Sequence, residues 1–148
     1  MVFEASFIKG VLFAIICGLT IGLERQVRGK PVGIRTSILI CLGTMLFIYL
    51  GIQINEGKDS ARILGQVVTG VGFLGAGVIM NKEGLVSGVT SASVVWLLAG
   101  IGASIGLGYF VMAIGLSIIA LSILVGVQYL ENVFKSLQHG VHKHAKGE

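Results

Sequence analysis

Charged side chains are confined to short clusters, and the stretches between them, residues 10–23, 36–55, 63–81 and 84–130, contain none. About 20 apolar residues at 1.5 Å each cover a hydrocarbon core roughly 30 Å thick, so runs of this kind read as membrane spans. Only 12% of the 148 residues are charged and 54% are hydrophobic. The chain therefore reads as an all-α, polytopic integral membrane protein. No segment is long or polar enough to form a separate soluble domain. One transmembrane domain over 1–134 and a polar cytoplasmic tail over 135–148 account for the whole sequence.

The run from Asp59 to Met80 is the stretch around which the other spans are expected to gather. From Ile63 to Met80 it is apolar or small apart from Gln66 and Thr69. Gly70, Gly72, Gly75 and Gly77 would weaken a helix in water, but in lipid they remove bulk and let neighbouring helices approach. Gly102 and Gly106 offer the same device later in the chain. A central, tightly packed helix is the expectation for 59–80. Gly70, Gly72 and Gly75 also spell the GxGxxG letters of a dinucleotide loop, yet residues 85–97 hold no acidic residue to bind a ribose. The packing reading stands in its place.

In order, the first helix is expected over 7–23, with Lys9 snorkelling to an interface, followed by the basic turn ERQVRGKPVGIR. It does not end in a small-x-small cleavage site and should remain in the protein. The second helix follows over 36–54, the third from Asp59 to Met80, the fourth over 89–107 and the fifth over 109–130. NKEGLVSG is expected to be a polar connection between the third and fourth. Five spans put the termini on opposite sides. Eight basic residues then fall on one side (Arg25, Arg28, Lys30, Arg35, Lys82, Lys135, Lys143, Lys146) and three on the other (Lys9, Lys58, Arg62). The positive-inside rule orients the chain with its N-terminus out and its C-terminus in.

Three polar clusters are candidates for function. Glu24, at the end of one helix, and Arg35, at the start of the next, each oppose the local helix dipole, so a Glu24–Arg35 pair across the seam is expected. Arg25 lies beside it, while Arg28 and Lys30 read as anchors to anionic headgroups. At the other end Asp59 is placed to cap the third helix, with Arg62 and, one turn deeper, Gln66 forming a polar stripe towards the bundle interior. Thr90, Ser91 and Ser93 read as hydroxyls that cap the fourth helix or bond back to its own carbonyls, with Trp96 as an interface marker. Cys17 and Cys41 read as small core residues. His139, His142 and His144 form a metal-like spacing in what reads as a polar terminus. No histidine lies in the membrane core and no zinc spacing or phosphate loop survives, so neither an enzyme nor a cofactor site is expected.

The segments GLERQVRGKPVGIRTSILICLG at 22–43, DSARILGQVVTGVGFLGAGVIM at 59–80 and GLVSGVTSASVVWLLAGIGASIGLG at 84–108 resemble the membrane domain of the MgtC/SapB family. The resemblance implies a multi-pass protein of the bacterial inner membrane linked to growth in low magnesium and, in pathogens, to virulence. Carried over by motif, the functional positions would be Glu24, Arg25, Arg35, Asp59, Arg62 and Gln66. Ser60 and Ser37 depart from the residues common in the family, and the chain ends where longer members continue into a cytosolic domain. The resulting expectation is a regulatory or adaptor protein of magnesium homeostasis, the alternative being a transporter or channel for magnesium or another small cation. Expected partners are membrane lipids, a second copy in a dimer, and another membrane protein, with no nucleic acid.

Overall fold

The structure, a computed structural model, describes residues 2–54, 60–82 and 85–133, and the side-chain surroundings of all of these except 2–4, 60, 81–82, 85 and 131–132. In order come α1 (Val2–Val27), α2 (Ile34–Ile54), α3 (Ser60–Val78), the strands β1 (Met80–Lys82) and β2 (Leu85–Ser87), α4 (Val89–Gly106) and α5 (Phe110–Val133). All five helices are long and apolar enough to cross a membrane. The five-span, all-α bundle expected from the uncharged runs is what the chain forms. The expected polar connection after α3 is instead an antiparallel hairpin, pairing Met80 with Ser87 and Lys82 with Leu85. Strands of three residues are too short to leave a periodic signal in a sequence.

Two of the turns are built the same way. At the end of α1 the Gly29 amide donates to the Gln26 carbonyl (3.0 Å) and Lys30 to Arg25 (2.9 Å); at the end of α4 Gly108 donates to Ile105 (2.9 Å) and Tyr109 to Ser104 (2.8 Å). These are Schellman closures, which need a left-handed residue just past the helix. Gly29 and Gly108 supply it, with φ of 62° and 85°. The second closure lets α5 start at Phe110, so α4 and α5 are separate spans joined by three residues. A methyl at Gly108 would meet nothing within 4 Å, so Gly108→Ala should cost only the left-handed strain, about 1–2 kcal/mol, read as a modest fall in thermal midpoint in detergent.

The helix at the centre is α4, not α3: 56% of the α4 span is buried, against 11% of the α3 span. Glycine spacing explains the correction. Gly102 and Gly106 lie four residues apart on one face of α4 and meet α2, where an added Cβ would come 2.5 Å from the Cys41 carbonyl oxygen and 2.8 Å from that of Met45. Gly18 and Gly22 do the same between α1 and α2, each 2.7 Å from a Cα of the partner helix. On α3, Gly70 and Gly77 fall on one side and Gly72 and Gly75 on another, so no single neighbour can use all four. A Cβ at Gly70, Gly72 or Gly77 would meet nothing within 4 Å, and at Gly75 only an ordinary contact at 3.5 Å. Helix α3 thus leans on α4 and α2 from the edge of the bundle.

The core that α4 organises is aliphatic and small. Ile21, Met45, Ile48, Val95, Leu98 and Ile101 are fully buried, together with Cys17 and Cys41. Both cysteines are free, and the Cys41 thiol donates to the Leu98 carbonyl at 3.4 Å. They are core residues, as read from the sequence. The outward faces stay apolar, including Phe73, Val111 and Ile118, which is the arrangement a lipid solvent requires.

Candidate functional site

At the end of the bundle that carries the hairpin, α1 does not stop at Leu23 but continues to Val27. That extra turn places Arg28 four residues after Glu24 and just past the helix end, where a cation is favoured by the helix dipole. Arg28 Nε lies 2.8 Å from Glu24 Oε1, and the glutamate side chain is only 6% exposed. The partner of Glu24 is therefore Arg28 within one helix, and the expected pair with Arg35 is not formed. Arg35 lies exposed in the first turn of α2.

Arg25 turns the other way, into the bundle. It is 4% exposed, and its Nη2 donates to the hydroxyl of Ser91 on α4. Ser91 thus serves as an acceptor between helices and not as a cap, while Ser93 bonds back to the Val89 carbonyl at 3.1 Å as expected. Arg28 Nη1 donates to the amide oxygen of Gln128 on α5. Glu24, Arg25 and Arg28 on one helix end therefore tie α1 to α4 and α5. Two atoms of the network, Glu24 Oε2 and Arg25 Nε, are buried with no hydrogen-bond partner. A buried polar atom left without a partner typically carries a penalty of about 1–3 kcal/mol.

The turn beside the network is held by side chains as well. Gln26 Oε1 accepts from the Ile34 amide at 3.1 Å, capping α2 from the end of α1. The Ser37 hydroxyl donates to the Val32 carbonyl at 3.3 Å. Val32 has φ of 67° and is buried, a rare conformation for a β-branched residue, kept because the loop between Gly29 and Gly33 is closed on both sides.

At the far end, Arg62 and Gln66 lie exposed on α3, with Gln66 on the open groove between α3 and α2 rather than in the buried core. Asp59 lies outside the described residues, as do His139, His142 and His144. The structure thus brings together Glu24 and Arg25, leaves Arg35 apart, and puts Arg62 and Gln66 at the opposite end. It draws in Arg28 and Ser91, read from the sequence as a headgroup anchor and a helix-start hydroxyl, and adds Gln26 and Gln128. The last had a signal: it is the one amide in the apolar run 110–130, and a lone polar group at membrane depth usually faces a protein partner.

Fold and network together define a polytopic five-helix membrane protein with a charge lock at one end. This chain belongs to the MgtC family, whose profile matches residues 11–133. It is 42% identical over 125 residues to YhiD of Escherichia coli K12, a protein provisionally named as a magnesium transporter, with 79% of this chain and 58% of the relative covered. It is 42% identical over 115 residues to Protein MgtC of Salmonella typhimurium, covering 78% of this chain and 49% of the relative. An uncharacterised Haemophilus influenzae protein is 39% identical over 109 residues, covering 67% and 46%. The chain spans about half the length of the curated relatives it matches. No solved structure matches it.

Proposed function

We propose that this protein is a regulatory or adaptor component of magnesium homeostasis in the bacterial inner membrane, and that the ion does not pass through it. Family membership and the naming of YhiD support the link to magnesium. The charge count favours the hairpin end on the cytoplasmic side.

The observation that carries the regulatory reading is the compensation of Glu24. Its carboxylate is bound by Arg28 and adjoins Arg25 in sequence, so two guanidiniums accompany one acid. A dication approaching this end meets net positive charge, and the repulsion grows where water is scarce. Magnesium sheds water reluctantly and takes oxygen ligands. The spans 36–55, 63–81 and 84–130 contain no carboxylate. The network is better suited to holding three helix ends in one arrangement, to which a partner membrane protein or a second copy could respond. Exposed Gly65, Thr69, Gly72 and Ala76 share the outward side of α3, the small-residue pattern by which helices meet in lipid.

Proteoliposomes loaded with a magnesium-sensitive dye test the reading. Flux is expected at the rate of empty liposomes, together with loss of low-magnesium growth in Arg25→Ala cells that still insert the protein. Magnesium flux that disappears in Glu24→Gln and persists in Ser122→Ala would overturn it in favour of transport.

A further inference from the structure

The two unpartnered atoms of the charge network are of opposite kinds: Glu24 Oε2 is an acceptor, and Arg25 Nε carries an N–H donor. Both belong to side chains more than nine-tenths buried, at 6% and 4% exposure. They do not satisfy each other directly, because successive residues of a helix point about 100° apart and do not face one another. The rest of each side chain is also committed, Glu24 Oε1 to Arg28 on the same helix and Arg25 Nη2 to Ser91 on α4. What joins them is a third group.

Charge decides the nature of that group. A cation would suit Oε2, but it would meet the guanidiniums of Arg25 and Arg28 and leave the Nε–H unbound. An anion would suit the Nε–H and be repelled by the carboxylate, while a proton on Oε2 would replace an orphan acceptor with a second orphan donor. A neutral molecule that both donates and accepts satisfies the two atoms at once.

We propose that water occupies an internal site at the hairpin end of α1, donating to Glu24 Oε2 and accepting from the Arg25 Nε–H. Nε and Nη2 share one edge of the planar guanidinium, so water on Nε lies beside the Ser91 hydroxyl that accepts from Nη2. That hydroxyl retains its own O–H as a further donor. About three partners is the usual number for a buried water. Through this site α1 is tied to α4 a second time, next to the direct bond between Arg25 and Ser91. The proposal rests on the geometry of the network and not on its regulatory reading, which flux and growth test separately.

Solid-state NMR of the full chain in liposomes, with its arginines labelled with nitrogen-15, tests the site. The chain has four arginines, and Arg25→Lys, which keeps the charge, identifies the Arg25 Nε–H signal by its loss. In the unaltered protein that signal should receive magnetisation from water at short mixing times. Its exchange with D2O should nevertheless run at least about a hundredfold slower than that of exposed Arg35. Protection without transfer from water means a dry network and overturns the proposal, as does exchange as fast as at Arg35, which means bulk solvent. A crystal structure of the unaltered protein gives a second measurement. A water peak within about 3.2 Å of both Glu24 Oε2 and Arg25 Nε supports the site. A direct bond between Glu24 and Arg25, or a protein side chain in that position, overturns it and leaves the regulatory reading standing.

Discussion

Replacing Glu24 with alanine should destabilise the bundle by about 3–5 kcal/mol, the usual consequence of removing one partner of a buried ion pair. Arg28 would lose its carboxylate at 2.8 Å and buried Arg25 its neighbouring negative charge. Among the described side chains Glu24 is the one carboxylate, so none of them replaces it. The thermal midpoint in detergent is expected to fall by on the order of ten degrees. Glu24→Gln should recover part of this, because the amide still accepts from Arg28. The double variant Glu24→Ala, Arg28→Ala should lose less than the sum of the two single changes, since removing both charges leaves neither unpaired. A midpoint for Glu24→Ala within a degree of the wild type would mean that water reaches the pair freely and that the network does not hold the helix ends.

The second large effect is steric. In Gly102→Leu a Cβ would stand 2.5 Å from the Cys41 carbonyl oxygen and 3.0 Å from Thr44 Cβ. Both atoms belong to a helix that is also held against α1, at Gly18 and Gly22 nearer its start, and so has little room to give way. The two helices must separate, which removes the packing on which association in lipid depends. A loss above about 4 kcal/mol is expected, seen as no monodisperse peak in size-exclusion chromatography. Gly77→Leu is the matched contrast: nothing lies within 4 Å of its Cβ, and its stability should stay within about 0.5 kcal/mol of the wild type. Equal collapse of both variants would show that the outward face of α3 is covered by protein in the membrane.

How much of this was legible in advance differs by level. The four uncharged runs pointed to five spans, because 84–130 is long enough for two helices and long apolar stretches without charge are stable in lipid. The same runs placed Cys17 and Cys41 in the core. The motifs GLER and GFLGAG led to the right family and drew attention to Glu24 and Arg25, which do lie in the charge network.

What the tertiary structure alone decided is which face each helix shows to which neighbour. Periodicity identifies a face only when one side is polar and the other apolar, and these helices are apolar all round because lipid and core are alike in polarity. Glycine count therefore pointed to α3, while the pairs 18/22 and 102/106, four residues apart, were the ones closed against a neighbouring helix backbone. Glu24 took Arg28 rather than Arg35 because α1 runs one turn past the last apolar residue of its span. Ser91 and Gln128, 66 and 100 residues away from the arginines they accept from, entered the network through contacts that exist only once α4 and α5 have packed against α1.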